Sequence, residues 1–141
     1  MEEASMMSEE YKVLDGLYYT EEHEWAKVLE DGTVAVGVTD YAQKQLHEIV
    51  YVELPEVDSE ADYMGVIGAV ESVKAVSDMN CPVAGTVVEV NDELLDSPEL
   101  INEDPYGEGW IAKVRPSDLD GDRLNLMDAE AYRKHVAEQE H

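Results

Sequence analysis

The chain has 141 residues, enough for one domain with short tails, and 44% of them are apolar, enough to bury a core. Nine Lys and Arg face 34 Asp and Glu, a net charge of −25, which argues against nucleic acid as a partner, because that needs a basic footprint, and against anionic membrane surfaces. No apolar run approaches the roughly 20 residues of a membrane-spanning helix, and a lone cysteine, Cys81, leaves no internal disulfide and fits a reducing, cytoplasmic setting.

In chain order, residues 1–13 are acidic, dotted with methionine and without period, and are expected to be a disordered tail. They also lack the basic patch and apolar stretch of a secretory signal. A single domain is expected over 14–138. Strand signals recur at 17–20, 24–29, 33–38, 49–54, 63–70, 76–79, 85–90 and 110–115. Many alternate apolar with polar, as in Val50-Tyr51-Val52-Glu53-Leu54. Asp31-Gly32 marks a hairpin turn, and the acidic stretch 57–62 reads as a plain loop.

Helical signals are few. Thr39 or Asp40 caps a short helix through Leu46, Asn91 another through Leu95, and Ser97-Pro98 begins one more turn. At the end, Asn125 and Asp128 form a capping pattern. Leu126, Ala129, Tyr132 and Val136 give one apolar face to a terminal helix over about 126–138. Asp31-Gly32-Thr33-Val34-Ala35-Val36 echoes Ala84-Gly85-Thr86-Val87-Val88-Glu89-Val90. Either two similar small sheets pack face to face, or two Val-rich strands coincide by chance.

Between the two copies lies Glu71-Ser72-Val73-Lys74-Ala75-Val76-Ser77-Asp78. Apolar runs on both sides of Lys74 describe a tight β-hairpin with this lysine at or beside its tip. An exposed ammonium on a rigid hairpin suits covalent attachment. Spacing alone fits an idle, solvated turn lysine at least as well. The acids are spread along the chain rather than gathered in a tail. That distribution points to adaptation to concentrated salt, with an ordinary acidic carrier domain as the plainer alternative.

Over nearly its whole length the chain resembles the H protein family of the glycine cleavage system. The matching segments, in order, include His23-Glu24-Trp25, Gly37-Val38-Thr39-Asp40-Tyr41-Ala42-Gln43 and Ile49-Val50-Tyr51-Val52-Glu53-Leu54-Pro55. Gly68-Ala69-Val70-Glu71-Ser72-Val73-Lys74-Ala75, Leu100-Ile101-Asn102 and Asp104-Pro105-Tyr106-Gly107 follow. The resemblance implies a mainly β fold, the barrel-sandwich hybrid of lipoyl domains, with two small antiparallel sheets, short peripheral helices and a C-terminal helix. It implies one lipoic acid in amide linkage to Lys74, with Glu71, Ser72, Val73 and Ala75 read by the lipoate-attaching enzyme. It further implies a monomeric, non-catalytic carrier. The arm would take an aminomethyl group from the pyridoxal-phosphate glycine decarboxylase (P protein) to the tetrahydrofolate-dependent aminomethyltransferase (T protein). Dihydrolipoyl dehydrogenase (L protein) would reoxidise it. Glu24 matches an acid of the cleft that shelters the loaded arm. With the charge, a salt-adapted, haloarchaeon-like source is expected.

The chain departs from that pattern at two places. Gln45 stands where some relatives have a cleft histidine, and His47 stands where many have a helix-ending glycine, although His tolerates left-handed backbone. Cys81 reads as small buried filler rather than a nucleophile. His23, His47, His135 and His141 lack metal-ligand spacing, and Trp25 and Trp110 read as core or groove aromatics. Two other readings stay open. One is a different lipoyl or biotinyl carrier, including a lipoyl relay; the other is an unmodified interaction module.

Overall fold

The computed structural model describes residues 11–139, and it is mainly β, with two antiparallel sheets. In chain order the elements are β1 (Tyr18–Tyr19), β2 (Glu24–Val28), β3 (Val34–Val38), α1 (Asp40–Leu46), β4 (Ile49–Glu53), β5 (Glu60–Ala61), β6 (Val66–Ser72) and β7 (Val76–Asn80). They continue with β8 (Gly85–Val90), α2 (Glu93–Asp96), α3 (Leu100–Glu103), β9 (Ala112–Pro116), α4 (Leu119–Arg123) and α5 (Ala129–Gln139). One sheet has six strands in the order β1-β2-β3-β9-β8-β5; the other has three, β4-β6-β7.

The strand period of two explains the core. It sends Val34, Val36 and Val38 of β3 to one face, where they join Val52, Val70, Met79, Val87, Ile111 and Val114. Ala35 faces the other way, into a second cluster with Tyr19, Trp25, Tyr41, Tyr132 and Val136, beneath α5. Hence β3 is buried throughout. The β2–β3 turn closes as its sequence requires. Gly32 sits at φ 89°, and Asp31 Oδ1 accepts from Thr33 N at 2.9 Å. In β6, a Cβ on Gly68 would strike the Glu53 carbonyl oxygen, so only glycine permits β4 and β6 to approach so closely.

Several expectations need correcting. The two echoing segments do not build two sheets: β3 and β8 lie in the same sheet, one on each side of β9. Within the supposed loop 57–62, Glu60 and Ala61 pair with Thr86 and Gly85. The terminal helix begins after Asp128, whose carboxylate accepts from Ala131 N at 2.9 Å. It begins there because Met127 is held in extended pairing, exchanging two 2.8 Å backbone hydrogen bonds with Tyr19. Of the expected disordered tail, residues 1–10 lie outside the described residues. The rest is docked: Tyr11 packs edge-on against Tyr41, Lys12 N donates to Asp40 Oδ2 at 2.9 Å, and Arg133 reaches the Val13 carbonyl.

Candidate functional site

Strands β6 and β7 run antiparallel, pairing Ala69 with Asp78, Val70 with Ser77 and Glu71 with Val76. A turn of three residues joins them. Ser72, buried, closes it: Ser72 N donates to the Ala75 carbonyl at 2.8 Å, and Ala75 N donates back to Ser72 Oγ at 3.2 Å. With the turn fixed at its base, Val73, Lys74 and Ala75 project into solvent, Val73 with 83% of its surface free. Lys74 takes part in none of the ion pairs among the described residues. The five residues expected to form the modification motif therefore do stand together. Ser72 shapes the turn from inside, while Val73, Lys74 and Ala75 present the surface.

Beside the tip, Leu46, His47 and Glu48 face Val73 and Lys74 across a cleft of about 250 Å³. The far wall is the end of α1. That helix starts where Thr39 Oγ1 accepts from Ala42 N at 3.2 Å, as the capping preference of threonine dictates. It stops at His47, which has φ 70° and ψ −148°. Histidine tolerates left-handed backbone, but this ψ lies outside the left-handed helical basin, in a region that essentially only glycine occupies without strain. The backbone is held from both sides. His47 N donates to the Gln43 carbonyl at 2.9 Å, and its carbonyl accepts from Asn102 Nδ2 at 2.8 Å. Asn102 also receives Ile49 N at 2.9 Å and donates to Gln43 Oε1 at 2.8 Å. This asparagine, present in a matched segment but given no role above, pins the cleft wall to the start of β4. Gln45 is exposed and is not among the residues lining the cleft.

Glu24 lies elsewhere. It is 1% exposed at the start of β2 and bonded to the far end of β7. Thr20 Oγ1 donates to its Oε1 at 2.5 Å and Asn80 N donates to its Oε2 at 3.0 Å. Counting strand rise along β7, Asn80, to which Glu24 is bonded, stands on the order of 13 Å from Val76, where the strand leaves the turn. Burial pushes its carboxyl up to about 7, against the pull of the Thr20 and Asn80 hydrogen bonds. Thr20 itself lines a second cavity of about 260 Å³ with Glu21, Glu22, Tyr63, Met64, Asn125 and Met127. Glu24 is not among the residues lining that cavity and is joined to it through its hydrogen bond with Thr20.

The remaining reactive groups are occupied structurally. Cys81 is fully buried, its thiol pushed up to about 11 by burial and bonded to the Val83 carbonyl. Trp25 Nε1 donates to the Pro105 carbonyl at 3.0 Å from within the core. His23 Nδ1 meets Tyr132 Oη at 2.8 Å, and burial lowers the imidazole to about 4. Among the described residues no helix is long and apolar enough to cross a membrane, and no group of His, Cys, Asp and Glu is arranged to hold a metal ion.

Comparison with known proteins agrees across sequence and fold. The family model described as "Glycine cleavage H-protein" matches residues 17–139. A probable glycine cleavage system H protein of Thermococcus gammatolerans is 63% identical over 127 residues, which is 90% of this chain and 94% of that one. A glycine cleavage system H protein of Coprothermobacter proteolyticus is 53% identical over 130 residues, 90% of this chain and 99% of that one. The crystal structure of a glycine cleavage system H protein from Mycobacterium marinum superposes with a TM-score of 0.81 at 36% identity, covering 88% of this chain and 98% of that one. These relatives, from Thermococcus and from bacteria, lend no support to a haloarchaeon-like source.

Proposed function

Because the chain belongs to the glycine cleavage H-protein family, we propose that it is the lipoyl-carrying shuttle of that system, with Lys74 as the attachment point. The observation that carries this reading is the tip itself. Lys74 is exposed, in no ion pair among the described residues, and mounted on a turn that Ser72 locks from beneath. An acyl amide needs an accessible primary amine and tolerates loss of its charge, and nothing at the tip depends on that charge. The cleft next to it, walled by Leu46 and Val73, fits an apolar stem. When bound, the lipoyl group supplies a disulfide that opens reductively and carries a one-carbon amine, chemistry that ordinary side chains lack.

The protein's own residues anchor, aim and shelter. Lys74 supplies the flexible stem, and the β6–β7 hairpin raises the local concentration of the arm at each partner's active site. Glu71, Val73 and Ala75 offer the surface that the lipoate-attaching enzyme reads, and Ser72 sets its shape. Glu24 remains the acid that steadies an ammonium, acting from behind Thr20. The chain acts as a non-catalytic carrier in the cytoplasm. It visits the glycine decarboxylase, the aminomethyltransferase and dihydrolipoyl dehydrogenase in turn. Its net charge of −25 adapts it to concentrated salt.

Reconstitution tests the assignment. With purified glycine decarboxylase, the lipoylated chain is expected to support exchange of bicarbonate into the carboxyl group of glycine. Lys74→Arg is expected to abolish that exchange. Exchange that survives the substitution would remove the assignment.

A further inference from the structure

His47 presents a combination that neither α1 nor the hairpin needs. Its backbone holds a conformation that glycine enters freely and histidine does not, and two hydrogen bonds fix it there. His47 lines the cleft beside Lys74, and its ring has no hydrogen-bond partner among the described residues. The other lining side chains are Leu46 and Val73, which are apolar, Glu48, which as a carboxylate only accepts, and Lys74 itself. His47 is thus the one lining residue, apart from Lys74, whose side chain can donate a hydrogen bond. Acylation turns Nζ from an ammonium with three donors into an amide with one N–H and one carbonyl. A neutral imidazole, with one N–H and one bare nitrogen, matches either half.

We propose that His47 is a positioning residue for the acylated Lys74: its ring hydrogen-bonds the amide formed at Nζ and holds the near end of the arm against Leu46 and Val73. This rests on the carrier reading above. The strained backbone aims the ring, and the arm leaves the tip in a preferred direction instead of sweeping freely.

The test is nitrogen NMR relaxation of the Nζ–H amide in protein lipoylated at Lys74, compared across the parent chain, His47→Gln and His47→Gly. In the parent, the amide order parameter is expected to stay well above about 0.6, the level typical of flexible groups. His47→Gly is expected to drop below it. His47→Gln, whose carboxamide carries both a donor and an acceptor, is expected to keep most of the restraint. A lipoylated chain whose amide is equally mobile in all three overturns this inference and leaves the carrier reading intact. A chain that takes no lipoate at Lys74 overturns both.

Discussion

At Glu24 two effects compete: removal from water favours the protonated acid, and the Thr20 and Asn80 donors favour the carboxylate. Burial prevails, raising the group from 4.5 to about 7. The sign for stability follows. Between those values the folded chain keeps a proton that the unfolded chain has lost, so Glu24's contribution is full below 4.5 and fades as pH rises to about 7. The span is on the order of 3 kcal/mol. Its neighbour His23 is lowered from 6.5 to about 4, so its contribution is full above 6.5 and fades as pH falls toward 4. The two slopes oppose each other and mask one another in the parent. In urea unfolding across this range, the stability of Glu24→Gln minus that of the parent is expected to rise with pH. A constant difference would contradict the burial argument. None of this was legible beforehand, because the His23-Glu24-Trp25 match identifies the acid and says nothing of its depth.

At the scale of elements, α1 is the informative one. Its cap, Thr39, and its end at Leu46 follow from residue preferences and were readable from the sequence. The strain at His47 was only half readable: the replacement of glycine is visible in a string of letters, but ψ is not. Strain of this kind costs about 1–3 kcal/mol, partly offset on mutation by the greater freedom of an unfolded glycine. In the chain without its arm, His47→Gly is therefore expected to raise stability by about 1 kcal/mol in chemical denaturation. A loss would show that the ring supports the fold. Strands with a clear sequence signal were found in place, β2, β3, β4 and β8 among them. Two residues in β5 carry no period, and α4, with Leu119 as its one large apolar residue, shows no amphipathic stripe. Both were invisible for that reason. The likeness of β3 to β8 was real in sequence but marks two strands flanking β9, since strand resemblance holds no information about sheet membership.

Across the whole molecule, a net charge of −25 on 141 residues means that most acids lack a basic partner. Their repulsion weakens the compact state in dilute buffer. Near 1 M salt the screening length falls to about 3 Å, and that repulsion is largely removed. The unfolding midpoint is expected to climb between dilute buffer and molar KCl; no climb would refute salt adaptation. The mainly β fold class followed from the ordered family segments, and spacing placed Lys74 at a hairpin tip without saying what it carries. The depth of Glu24 and the clamp made by Asn102 required the chain to be closed on itself. All of it converges on one nitrogen at the end of the β6–β7 hairpin, and intact-protein mass spectrometry of the chain from its native cells addresses that atom most directly. The expected result is a single lipoyl addition that vanishes in Lys74→Arg. A biotin mass, no addition at all, or a lipoyl mass that persists without Lys74 would contradict it.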